Sequence, residues 1–260
     1  MHRSLLALAL VGLSLVAGCG GATPDVATPA PAGTPVATVP LATTPAPPPD
    51  PVTALKASFG KAFEAKTFEM TASIGSGGPS LEIIAKADLG RDLVWIFMYS
   101  GDGSEMVRSG NDLFLKQGKA RWQRLDLTRI SATSPLRAQL DLRSQSGVLG
   151  GVVSATRAED RVDTNYEGVV DLAKAVEAAP PEGREAMRNA AKLASNASAV
   201  KLKAYLDNQG RLRKLSYTFE TAEGDIESSV RIEKPGEPVD ISVPAAGEFD
   251  EAPAELYGRL

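Results

Sequence analysis

Cys19 is the one cysteine of the chain and His2 the one histidine, so any chemistry that needs a thiol or an imidazole has a single place to happen. Cys19 directly follows Val16-Ala17-Gly18, at the end of an apolar run from Leu5 to Val16 that starts just after Arg3. A basic start, an apolar stretch and small side chains where a peptidase must close around the backbone make residues 1–18 a secretory signal. The run is too short to stay in the bilayer, since a spanning helix needs about 20 apolar residues. Once the signal is removed the chain keeps no histidine and no thiol but Cys19. Ordinary zinc sites, Ser-His-Asp and Cys-His catalysis and histidine-ligated haem are thereby excluded, as are disulfides. Neither a metal nor a cofactor is expected, and the chain reads as a non-enzyme.

Other patterns carry less. Gly75-Ser76-Gly77-Gly78 lacks the Lys-Ser or Lys-Thr and the helix start of a phosphate loop, so it reads as a hairpin turn. Gly101-Asp102-Gly103-Ser104-Glu105 lacks the ligand count of a calcium loop. Glu159-Asp160 reads as solvated surface, and Asn196-Ala197-Ser198 fits the N-glycosylation triplet. Loss of Arg3 with the signal leaves 27 basic against 32 acidic side chains, and no basic run is interleaved with aromatics, so nucleic acid is not a partner.

The spacing Val16-Ala17-Gly18-Cys19 resembles the bacterial lipobox. The resemblance implies that Cys19 takes a diacylglycerol thioether, becomes the first residue and is acylated on its amino group. At about 0.8 kcal/mol per buried methylene, two or three chains hold a protein on a bilayer where one holds it only reversibly. The location implied is the outer face of the bacterial cytoplasmic membrane. From Gly20 to Pro51 the chain turns to Pro, Ala, Thr and Val, with ten of its eighteen prolines. Residues 19–51 therefore form a lipidated linker without a core, a polyproline II spacer reaching up to ~100 Å at ~3.1 Å per residue. It is either a stalk or a tolerated connection of indifferent length.

Residues 52–260 are long enough for one well-buried domain. Val52, Leu55, Phe59 and Phe63 make a helical stripe over 52–66, with Thr53 as its N-cap. The period then switches to two. Strands are predicted over 68–74, 81–89, 93–99, 104–108, 112–116 and 121–125, followed by a short helix near 135–142 and a mobile glycine loop over 147–151. Strands resume over 152–158 and 161–171, a second amphipathic helix spans 184–197, and strands over 200–206, 212–220 and 226–233 close the domain. The sum is an α+β fold, a curved antiparallel half-barrel of about 9–11 strands with helices on its concave side. A closed barrel or a two-sheet sandwich is the competing arrangement.

The order of elements resembles the LolA-like fold, in particular the LppX and LprG type of actinobacterial lipoprotein, over almost all of residues 52–244. Arg161 to Asp171 is similar to a segment of those proteins, with Asn165 where they carry histidine, and Val239 to Pro244 is similar to their terminal strand. The resemblance implies a cavity between sheet and helices that holds the acyl chains of lipids or lipoglycans. It implies a monomer that binds or carries such a ligand in the cell envelope.

The small residues Ala72, Ala85, Ala87, Ala204 and Ser228 on the expected core face leave room either for a guest or for close backbone packing. The residues expected to line a cavity are Met70, Ala72, Ile83, Ala85, Trp95, Phe97, Leu215, Tyr217, Val230 and Ile232, with Met187 and Leu193 from the second helix. Trp95 and Phe97 share one face of their strand and Val94, Ile96 and Met98 the other, and the sequence does not choose between them. The second reading is an envelope interaction or sensor module whose core is filled and whose partner is a protein.

Overall fold

The computed structural model describes residues 49–257 apart from 77–79, 100, 132–133, 160–163 and 180. Cys19 and the linker up to residue 48 lie outside the described residues, as do Arg161 to Asp163. Helix α1 (Pro51–Glu64) begins one residue earlier than its apolar stripe. Its cap is Asp50 rather than Thr53: the Asp50 carboxylate accepts from the Thr53 backbone N–H at 3.0 Å, and Pro51 occupies the first turn. A carboxylate facing the free N–H groups of a helix start is a stronger cap than a hydroxyl one turn further in, and proline is favoured at that point.

Six strands follow as a meander: β1 (Thr67–Gly75), β2 (Leu81–Asp88), β3 (Leu93–Tyr99), β4 (Ser104–Ser109), β5 (Asp112–Gln117) and β6 (Trp122–Asp126). Helix α2 (Pro135–Leu140) and a 3-10 helix (Leu142–Gly151) lead into β7 (Val152–Glu159) and β8 (Thr164–Val170). The glycine-rich stretch expected as a mobile loop is thus ordered, with Val148 and Leu149 buried. Gly151 explains its own composition, because a Cβ there would stand 2.4 Å from the Asp171 carbonyl oxygen. Helices α3 (Leu172–Ala178) and α4 (Pro181–Leu193) come next, then β9 (Val200–Leu206), β10 (Leu212–Thr221) and β11 (Gly224–Glu233). Helix α3 was hidden in the sequence by its shortness; Asp171 caps it through the Ala173 and Lys174 backbone N–H groups. The chain ends in β12 (Phe249–Glu251) and the single turn α5 (Ala254–Tyr257).

All strands join one sheet in the order β12-β6-β5-β4-β3-β2-β1-β11-β10-β9-β8-β7. It is unclosed and antiparallel throughout except for the β12–β6 pair, which is parallel. The twelfth strand goes one beyond the expected number. Val239 to Pro244, expected as a terminal strand, forms none. Instead Val239 and Ile241 bury themselves against Leu93, Val107 and Phe114 on the outer face of β3 to β5.

The core lies on the other face. Phe68 and Met70 of β1 stand beside Ala87 and Ala85 of β2, which pair in turn with Val94 and Ile96 of β3. On the far side Met70 pairs with Ile232, Val230 with Leu215, and Leu215 with Ala204. Helix α1 covers this face against β7, β8 and β10, while α3 and α4 pack on each other and on the 3-10 helix. One apolar row per strand is covered in this way, and the alternate row is left to solvent or to the C-terminal segment.

Candidate functional site

The two ends of the helix-covered face differ. At the end carrying the β2–β3 and β9–β10 turns, Phe59 and Phe63 of α1 stack at 4.9 Å, and Phe63 meets Phe68 of β1 at 4.6 Å. Phe68, Leu113, Leu125, Leu206, Leu212 and Ile232 are fully buried there. That end is plugged. At the end carrying the β1–β2, β3–β4 and β10–β11 turns, the same face shows Ile83, Met98, Leu115, Tyr217 and Ile226 only partly buried. Ile83 and Met98 are directly paired across β2 and β3. Tyr217 hydrogen-bonds Ser228 beside it, and burial holds its phenol above the ordinary tyrosine range, so it is neutral at any physiological pH. These partly buried side chains form an apolar rim that runs across seven strands, from β5 to β10.

The twelve residues expected to line a cavity separate into four groups. Met70, Ala72, Ala85, Leu215, Val230 and Ile232 are on the helix-covered face but buried, with Ala85, Leu215 and Ile232 at 0% exposure. At zero exposure not even a water-sized sphere touches the side chain, so close packing is the outcome at those positions. Ile83 and Tyr217 belong to the half-buried rim. Met187 is buried in the same core from α4, whereas Leu193, at the last residue of α4, is 49% exposed.

Trp95 and Phe97 lie on the outer face, so the twelve do not converge. Their face is fixed by what β3 meets: Val94, Ile96 and Met98 pair with core residues of β2, which turns Trp95 and Phe97 outward. The Trp95 indole N–H donates to Glu105 at 2.7 Å, and Lys86 stands over its ring. Trp95 packs against the cluster made by Val239 and Ile241. Sequence reasoning missed Met98, Leu115 and Ile226. Met98 and Ile96 alternate with Phe97, and that signal becomes usable once the face of β3 is known.

The outer face carries a second concavity of different chemistry. A groove of ≈ 1050 Å³ runs over β2, β1, β11, β10, β9, β8 and β7. Its floor is small and hydroxylated, with Thr71, Ser73, Ser216, Thr218 and Ser229, and its sides are Lys201, Lys203, Lys214, Arg231, Glu82, Glu167 and Glu227. A twisted sheet that curls across its strands hollows the opposite way along them, which opens this face. Lys203 pairs with Glu167 at 3.0 Å, and that hydrogen bond, with the attraction of the carboxylate, raises the lysine above its ordinary value. A lysine held protonated is no general base for Ser216, which stands opposite it across β9 and β10.

Among the described residues no group of three His, Cys, Asp or Glu side chains gathers to hold a metal, and no helix is long and apolar enough to cross a membrane.

No family model matches the sequence, and no curated protein matches it. Among solved structures the chain is similar to the lipoprotein LppX of Mycobacterium tuberculosis, at 13% identity over 73% of this chain and 99% of that one, with a TM-score of 0.42. It is also similar to an uncharacterized conserved protein of Thermus thermophilus, at 10% identity over 74% of this chain and 96% of the other, TM-score 0.34. A hypothetical protein of Chlamydia trachomatis follows at 11% identity, 68% and 92% coverage and a TM-score of 0.27.

Proposed function

We propose that this protein is a lipid-anchored envelope protein that binds one or more acyl chains at the apolar rim formed by Ile83, Met98, Leu115, Tyr217 and Ile226, and so carries or presents an acylated molecule. The supporting observation is the asymmetry of the helix-covered face: aromatic rings plug one end, and at the other Ile83, Met98, Leu115 and Ile226 stay only partly buried. The second support is the lipobox-like Val16-Ala17-Gly18-Cys19, which would place the domain where acylated ligands are found.

Burial is the mechanism. Each methylene leaving water contributes about 0.8 kcal/mol, so about ten seated methylenes give about 8 kcal/mol, which is micromolar affinity before ordering costs. A site of that strength holds a ligand and still releases it. The neutral Tyr217–Ser228 pair gives the rim one polar group, suited to an ester or amide near the head of the chain.

The test is covalent capture. Cells making the full-length protein are fed a diazirine fatty acid, irradiated, and the purified protein is mapped by peptide mass spectrometry. Label is expected on the peptides holding Ile83, Met98 and Ile226. Label spread evenly over the surface, or absent from these three, contradicts the reading.

A further inference from the structure

We propose that the groove on the outer face of the sheet is a second binding site, for an extended neutral oligosaccharide. A solvated sheet face is ordinarily filled by long or β-branched side chains, because serine is a poor strand former and leaves the pleat empty. Here Ser216, Ser229 and Ser73 stand side by side across β10, β11 and β1, and the row beside them holds Lys214, Arg231 and Thr71. The serines are half-buried, and among the described residues the hollow around them is lined by strand residues alone. They form the bottom of the ≈ 1050 Å³ hollow.

The chemistry of the hollow selects the ligand. The Ser73 and Ser229 hydroxyls bond each other at 2.9 Å, while those of Ser216, Thr71 and Thr218 have no protein partner among the described residues. Four cations and three carboxylates surround this floor, with Lys214 directly beside Arg231, and within the groove only Lys203 and Glu167 neutralise each other. Such a lining gains little from a strongly charged polymer. It offers donors and acceptors in near-equal number, which a sugar hydroxyl, donor and acceptor at once, satisfies in either role. Tyr205 adds a ring on the same face beside Lys214, at the margin of the groove, where the C–H face of a sugar can stack. Seven strands about 4.8 Å apart make a track long enough for several sugars in a row.

This site does not depend on the acyl-binding reading, for its floor and charged sides lie on the opposite face of the sheet, although Tyr217 and Ser228 border both sites. The experiment applies detergent-solubilised full-length protein to an array of neutral and anionic bacterial envelope oligosaccharides, beside Ser229→Tyr and Ser216→Tyr, each of which fills the floor from the solvent side. Thermal unfolding of both variants is expected to match the parent. The parent is expected to label neutral oligosaccharides longer than a disaccharide, and each variant to label them about tenfold less or weaker, the loss of one or two hydrogen bonds. A blank array, labelling confined to anionic glycans, or labelling unchanged in both variants overturns the proposal.

Discussion

Replacing Phe63 by alanine tests the plugged end of the domain. Phe63 is 6% exposed, stacks on Phe59 at 4.9 Å and meets Phe68 at 4.6 Å, with the Arg143 guanidinium over its ring at 5.6 Å. A buried Phe→Ala change costs about 3–5 kcal/mol, and the upper half of that range applies because two aromatic neighbours lose a stacked partner as well. Met98, of the half-buried rim, has fewer atoms to lose from contact, so Met98→Ala is expected to cost about 1 kcal/mol. Urea unfolding followed by tryptophan fluorescence reads both, since Trp95 and Trp122 report from the outer face, away from either substitution. With a slope of about 2 kcal/mol per molar, Phe63→Ala moves the midpoint down by about 2 M and Met98→Ala by about 0.5 M. Equal shifts for the two variants would refute the distinction between a sealed end and an open one.

Three further outcomes are expected. Cys19→Ser releases the protein from the membrane fraction with the urea midpoint of its domain unchanged, and retention in the membrane would refute lipid anchoring. Asp207→Ala costs about 1–3 kcal/mol in the same unfolding assay, because the carboxylate accepts from the Gln209 and Arg211 backbone N–H groups and from the Arg211 side chain in the β9–β10 turn. Burial pushes this acid upward, but those Arg211 and Gln209 hydrogen bonds outweigh it and hold it below the ordinary value of 3.8. Its contribution is therefore full above pH ~4 and disappears as the pH falls through the lowered value; wild type and variant should converge in acid and diverge above it. Gly151→Ala lowers the thermal midpoint, at a cost of about 1–3 kcal/mol, since the new methyl would stand 2.4 Å from the Asp171 carbonyl; an unchanged midpoint contradicts the close approach.

Much of the fold was legible because its strands alternate cleanly. Phe68, Met70 and Ala72 against Glu69, Thr71 and Ser73 define one buried and one solvated face, and the short turns force neighbours to pair antiparallel. Strand β3 was not legible in this way. Its outer residues Trp95 and Phe97 are as apolar as Ile96; the returning C-terminal segment packs on Trp95, and Phe97 stacks between Trp95 and Tyr99, so the strand loses the alternation that reveals its orientation. The same crossing explains Val239 and Ile241: their spacing by two reads as a strand, yet they pack as an irregular strap. Gly147, Gly150 and Gly151 look like loop residues, whereas they are the means by which a 3-10 helix lies close to α3 and α4. For the rim, apolar character was visible and partial burial was not, since only the placement of the helices decides which aliphatics stay uncovered. The polar groove gave no signal at all in one dimension: Ser73, Ser216 and Ser229 are far apart in sequence and meet only through the pairing of β1, β11 and β10.

Organic extraction of the full-length protein purified from its native membrane, followed by mass spectrometry, tests the central claim most directly, with an Ile83→Trp/Met98→Trp variant prepared in parallel to fill the rim. Acyl lipid in about equimolar amount with the parent protein, beyond the chains on Cys19, and its loss from the variant are the predicted result. A parent that yields no such lipid, or a variant that yields as much, would contradict it.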